Sequence, residues 1–259
     1  MSVTQRETSD SDKLLGCVYM RTIVISDIHG YYRTFEVLLK RVDYKPSKDR
    51  LFLLGDYVDG GPAALKVVRL VQQLMKYPNV HAIGGNHDDM FLSWLDGQDY
   101  LISPYTNPKN GGLQTIYSFC PPEINDGDAA REYINEHYIS EINFLRSLPN
   151  YFEDDRHIYV HAGIDPEQND WKQTSHKDFR WIRGRFYKYD GQLPVNKTII
   201  FGHEVCARLH KNENIFYPWF GAQMIGIDGG IKFGKFLNAL IINDNGEYQV
   251  ESTVSCEDK

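Results

Sequence analysis

Residues 22–29, Thr22-Ile23-Val24-Ile25-Ser26-Asp27-Ile28-His29, decide the fold. An apolar, largely β-branched run leads straight into an Asp-x-His pair, so a buried strand is expected to end where a carboxylate and an imidazole begin. Outward from there the alternation continues. Phe35, Leu38, Leu39 and Val42 fall on one helical face, residues 51–54 read as a second strand, and a helix starting near Pro62 turns Leu65, Val68 and Val71 inward. A third strand over residues 80–83 precedes a short helix through Phe91 and Leu95. The order β-α-β-α-β predicts an α/β sheet covered by helices.

Residues 97–150 interrupt this pattern with Pro104, Pro108, Asn110-Gly111-Gly112 and Pro121-Pro122. They read as a helical insertion or cap, not as a domain of their own. Strands are expected again over residues 157–161, 198–201, 224–228 and 237–243. Residues 1–19 are polar and read as a loose extension, leaving 20–259 as one domain. Leu14-Leu15-Gly16-Cys17 lacks the basic start and apolar segment of an export signal, so a cytoplasmic location is expected. The four cysteines, Cys17, Cys120, Cys206 and Cys256, are too scattered for a zinc knuckle or a disulfide framework. No apolar run reaches the length of a membrane span. The net charge of −7 over 259 residues argues against general nucleic-acid binding, which relies on Lys and Arg. It leaves phosphorylated substrates open, because bound divalent ions dominate a local field.

Five short motifs lie where strands are expected to end. They are Asp27-Ile28-His29-Gly30, Gly55-Asp56-Tyr57-Val58-Asp59-Gly60-Gly61, Gly85-Asn86-His87-Asp88, Val160-His161-Ala162-Gly163 and Phe201-Gly202-His203. Singly each is weak: Asp-x-His is usually a solvated loop, and a lone His is more often a satisfied core imidazole. Together they bring oxygen and imidazole donors suited to Mn²⁺, Fe²⁺ or Zn²⁺ to neighbouring strand ends, where α/β folds place their ligand crevices.

The motif order resembles that of the phosphoprotein phosphatase family of metallophosphoesterases, in its bacterial branch with the symmetrical diadenosine-tetraphosphatase relatives. The resemblance runs from Met20 to Asn243. It implies a calcineurin-like domain, a four-layer α-β-β-α sandwich of two mixed sheets flanked by helices. It further implies two divalent ions, Mn²⁺ first with Fe²⁺ or Zn²⁺ as alternatives. The first ion would take Asp27, His29 and Asp56, and the second Asp56, Asn86, His161 and His203, with Asp56 bridging. A metal-activated water would then attack phosphorus, His87 would protonate the leaving oxygen, and Asp59 would orient His87.

The sequence departs from the family after Gly-Asp-x-Val-Asp, where an Arg usually grips phosphate and Gly60 stands instead. Arg183, in Trp181-Ile182-Arg183, is the expected substitute, and Arg185 a weaker one. Glu204, after His203, reads as tolerated variation, and Asp228-Gly229-Gly230 as a segment that shapes the site. A Ser/Thr phosphoprotein phosphatase or general phosphomonoesterase is the leading expectation, since residues 97–150 offer only Lys109, Arg131 and Arg146 to a polyphosphate. A symmetrical diadenosine tetraphosphate hydrolase is the alternative, with Tyr100, Tyr105 and Tyr117 as candidates to stack on a base. A non-catalytic binding protein that keeps its metal site is disfavoured by the complete ligand set. The expected partner is a phosphorylated protein or small phosphorylated molecule, with neither nucleic acid nor membrane.

Overall fold

The computed structural model describes residues 21–98, 104–124 and 126–257. The expected extension over residues 1–19, and Tyr100, lie outside the described residues. The β-branched runs become β1 (Arg21–Ile25), β2 (Asp49–Leu53) and β3 (Val80–Ala82), linked by α1 (Tyr32–Arg41) and α2 (Ala64–Leu74) and followed by α3 (Asn86–Leu95). Then come α4 (Gly112–Phe119), α5 (Gly127–His137), α6 (Ile139–Ser147), β4 (Tyr151–Glu153), β5 (His157–Val160), α7 (His176–Trp181), α8 (Gly184–Tyr187) and β6 (Thr198–Phe201). The chain continues through α9 (Cys206–Leu209), β7 (Trp219–Phe220), β8 (Met224–Gly226), β9 (Phe236–Asn243) and β10 (Tyr248–Val254).

Two five-stranded mixed sheets result, in the orders β10-β9-β1-β2-β3 and β4-β5-β6-β8-β7. Strand alternation explains how each sheet is buried on both faces. In the first sheet Ile23, Ile25, Leu51 and Leu53 point towards α1, α2 and the helices of the insertion. Their neighbours Val24, Phe52 and Leu54 point the other way, into a seam shared with Tyr159, Ile200 and Ile225 of the second sheet. There the rings of Phe52 and Tyr159 stack with centroids 3.8 Å apart. Ile158, Val160, Ile199 and Phe201 face outward onto Phe179, Ile182 and Phe186 of the α7–α8 region. The layers are therefore helix, sheet, sheet and helix. The insertion does not sit apart as a lid, because Tyr105, Ile116, Phe119, Ile134 and Leu145 join the same core as β1 and β2. No helix among the described residues is long and apolar enough to cross a membrane.

Candidate functional site

The strand ends carry unusual backbone. Asp27, His29, Asp56, Asp59 and His203 all have positive φ, at 55, 51, 56, 70 and 63°. A left-handed conformation costs a non-glycine residue roughly 1–2 kcal/mol, and such residues concentrate where side chains must be aimed. A net of backbone hydrogen bonds holds them. His29 N–H donates to Asp56 O at 2.8 Å and Gly30 N–H to Tyr57 O at 2.9 Å. Asp88 accepts from the N–H groups of Asp56, Tyr57 and Gly85 at 3.0, 3.0 and 2.8 Å, tying the β2 and β3 loops together. The sequence reading quoted Asp88 only as the end of a motif. Gly85 packs so tightly on the Asp56 carboxylate that a Cβ there would overlap it.

Two donor groups form around Asp56. On one side its Oδ2 lies 3.6 Å from His29 Nε2, which is 3.9 Å from Asp27 Oδ1. On the other its Oδ1 lies 3.4 Å from His161 Nε2, with Asn86 Oδ1 3.0 Å from the same nitrogen. His203 completes the second group, its ligand atom within 4.8 Å of those of Asp56 and His161. One carboxylate thus offers an oxygen to each side. His29 Nδ1 is 2.9 Å from Val58 O and His161 Nδ1 2.7 Å from Leu54 O. A carbonyl only accepts, so both Nδ1 atoms carry the proton and both Nε2 lone pairs face Asp56. His203 Nε2 is buried with no hydrogen-bond partner. A buried polar atom left this way is costly unless something coordinates it.

The electrostatics point the same way. Burial, then the charge of Asp228, raises Asp27 well above the usual carboxylate range, and burial, then Asp27 and Asp88, does so for Asp56. Burial pushes His29 and His203 well down, and His161 to about 3. Crowded carboxylates beside neutral imidazoles with free Nε2 atoms fit divalent cations, and the donors suit the borderline ions expected.

His87 stands at the rim. Its Nδ1 lies 2.7 Å from Asp59 Oδ2, and its ring also comes within 4.8 Å of the ligand atoms of His29 and Asp56. The other Asp59 oxygen accepts the hydroxyl of Tyr105 and, at 2.8 Å, that of Thr115. Burial still raises Asp59 to about 7, against the opposing effect of Tyr105, Lys232 and Thr115. Burial, then Lys232 and Arg183, lowers His87 well below the ordinary histidine range. The insertion therefore serves the site by fixing Asp59. Tyr105 is 1 % exposed and cannot stack on a base, whereas Tyr117 is exposed.

The basic side chains are held in different ways. Arg183 Nη1 donates to Glu204 Oε2 at 3.0 Å and approaches His203 O at 3.4 Å, with its side chain 46 % exposed. Glu204 is buried and also bonds Arg208 at 2.9 Å, so it is an anchor and not a passive variation. Arg185 pairs with Asp178 at 2.9 Å. Lys232, which sequence reasoning passed over, reaches the site: its Nζ is 3.0 Å from His87 Nε2 and 2.8 Å from Asn110 O. Its only sequence signal was its place four residues after Asp228. Gly111, the N-cap of α4, is an initiating turn: its carbonyl accepts from Gly60 N–H at 3.2 Å.

Two packed mixed sheets, helices outside both, and an Asp-bridged set of oxygen and imidazole donors at the strand ends define a metallophosphoesterase. The chain belongs to the calcineurin-like phosphoesterase family, whose sequence profile matches residues 20–217. It is 36 % identical over 150 residues to the symmetrical bis(5'-nucleosyl)-tetraphosphatase of Photorhabdus laumondii, and 34 % over 151 residues to that of an Enterobacter species. These alignments cover 57 % of this chain, but only 46 % and 45 % of the relatives, so the chain matches a little under half of their length. Among solved structures, one provisionally named a diadenosine tetraphosphatase superposes with a TM-score of 0.61 at 22 % identity, covering 92 % of this chain and 95 % of that one. A Saccharomyces cerevisiae protein serine/threonine phosphatase gives 0.60 at 15 %, covering 93 % and 82 %. At such identities the structures share the fold alone. The calcineurin-like family works through a dinuclear divalent metal site.

Proposed function

We propose that this protein cleaves a dinucleoside polyphosphate of the diadenosine tetraphosphate type, and that Asp27, His29, Asp56, Asn86, His161 and His203 hold the two ions. The orphaned, buried Nε2 of His203 facing Asp56 carries the metal reading. Bound ions supply an activated water and offset charge on the phosphates. The chain's own residues do the rest. Val58 and Leu54 carbonyls fix the imidazole tautomers, the His29 and Asp56 backbones aim their side chains, and His87 gives a proton to the leaving oxygen while Asp59 orients its ring. With Nδ1 held by Asp59, that proton sits on Nε2, so Lys232 must turn from Nε2 to the arriving phosphate before His87 can act.

The substrate class is supported by the relatives' names rather than by a pocket. It replaces the leading expectation of a phosphoprotein with the alternative weighed beside it. Tyr105 is lost as a base platform, so recognition of adenine falls to other groups. The test is a panel at matched Mn²⁺: diadenosine tetraphosphate, a phosphopeptide and an aryl phosphate. The dinucleotide should give the highest kcat/KM and yield two molecules of ADP. A phosphopeptide preferred by tenfold or more restores the protein-phosphatase reading.

A further inference from the structure

The family's phosphate-gripping Arg is replaced by Gly60, yet the space above Gly60 is filled. Gly60 has φ of +121°, and a Cβ on it would lie 3.0 Å from Lys232 Cγ. Lys232 enters from the turn between β8 and β9, and its stem runs over the place a side chain at 60 would start. Its position is built, not incidental. It sits in the 3₁₀ turn Ile231–Phe233, bounded by Gly230 and Gly234 at φ 71° and 72°. The turn is tied down where Gly230 N–H donates to Asp228 Oδ1 at 2.8 Å. At its tip, Nζ donates to Asn110 O at 2.8 Å and meets His87 Nε2 at 3.0 Å. An ammonium has three donors, and the carbonyl and the imidazole engage two of them.

We propose that Lys232 takes over the task of the missing arginine, binding the substrate phosphate beside His87. This rests on the phosphoesterase reading above. Arg183 is another cation whose charge reaches Asp27 and His87, but its side chain is half-exposed. Arg183 is engaged by Glu204, and Arg180 is buried against Asp89 and Leu148 O. A lysine at this place is a point charge with rotatable donors, where an arginine is a planar fork. It tolerates phosphates presented at different angles, as successive groups of a polyphosphate are. The carboxylates of Asp27, Asp56, Asp59 and Asp228 also surround it, so a purely charge-balancing role is the competing account.

The test uses the full chain loaded with Mn²⁺ and three variants, Lys232→Met, Lys232→Gln and Lys232→Arg. Calorimetry with inorganic phosphate gives affinity, elemental analysis gives metal content, and kcat and KM are measured with aryl phosphate and diadenosine tetraphosphate. Lys232→Met and Lys232→Gln should weaken phosphate binding and raise KM on the order of 10- to 100-fold, the loss of one charge-assisted hydrogen bond, with metal content and Tm kept. Lys232→Arg should recover most of the affinity. Unchanged phosphate affinity, or tighter metal binding as the only effect, overturns the proposal in favour of charge balance. Equal hydrolysis by wild type and Lys232→Met overturns this assignment alone. A metal-loaded wild type that hydrolyses no phosphate ester overturns the phosphoesterase reading and this proposal with it.

Discussion

The two ends of the sandwich use the same residue types to opposite effect. At the end away from the site, Asp154 accepts from the N–H groups of Arg156 and His157 at 2.9 and 2.8 Å, and from Tyr159 OH at 2.9 Å. Burial alone would raise its pKa, but these donors, the His157 ring and its charge hold Asp154 below the usual carboxylate range. At the site end, Asp27 and Asp56 are fully buried and repel each other, and His203 Nε2 has no hydrogen-bond partner. Asp and His at one end build a closed network; at the other they leave charge and lone pairs over. Burial of polar groups is thus not the signature of a site. Unbalanced burial on strained backbone is.

That contrast is tested most severely at Asp56. Asp56→Asn should remove metal binding at one or both positions and lower kcat/KM by on the order of 10³-fold or more, about 4 kcal/mol of charge stabilisation. Asp154→Asn, at a partly buried carboxylate with a full set of donors, should leave kcat/KM within about twofold while lowering Tm. Comparable activity losses in both would erase the distinction. Next in size is His87→Asn, expected to lower kcat about 10²-fold with both metals bound. Good leaving groups should suffer less, and an equal loss across leaving groups of widely different pKa removes His87 from proton donation.

Tyr105→Phe sharpens the comparison by taking one donor from Asp59. Loss of a partner that orients a reacting group costs roughly 10-fold, read in kcat at unchanged metal content. The smallest effect lies in stability. Asp59 is raised to about 7, so its contribution to folding is present below the unfolded value of ~3.9 and lost as pH climbs through about 7. Asp154 is lowered, so its contribution is present above the unfolded value and lost in acid. In chelator-treated protein, Asp59→Asn should gain a few °C in Tm over wild type on going from pH 5 to pH 8, about 1–2 kcal/mol. Asp154→Asn should fall behind wild type between pH 3 and pH 6. Parallel pH curves for the two variants would contradict the opposite signs.

Much of this was legible because the inner strands announce themselves. Ile23-Val24-Ile25 and Ile199-Ile200-Phe201 are buried on both faces and read as unbroken apolar runs. The Asp, Asn and His residues at their ends follow from the strand boundaries. Three of the four edge strands, β4, β7 and β10, were missed for the converse reason, and β4 has only three residues. β7 has two residues, and β10 is a partly exposed edge whose Tyr248-Gln249-Val250-Glu251 carries a mixed pattern. Lys232 was invisible for a different cause: it meets His87 across 145 positions of sequence, through a turn shaped by two left-handed glycines. Tyr105 and Thr115 meet Asp59 across 46 and 56 positions, from an insertion with no strand periodicity to anchor it.

The pairing of His203 with Asp27 has a consequence for the newborn chain. His203 N–H donates to both Asp27 oxygens at 3.1 and 3.0 Å, across 176 positions. Asp27, His29 and Asp56 all precede residue 60, whereas the second group waits for His161 and His203. Ribosomes deliver these residues in order, at roughly 5–20 per second, so the early half exists for some seconds with its carboxylates in place and their eventual neighbours untranslated. Because β1 also waits for β9 as its antiparallel neighbour, the two donor groups can close on each other only once nearly the whole chain has been made.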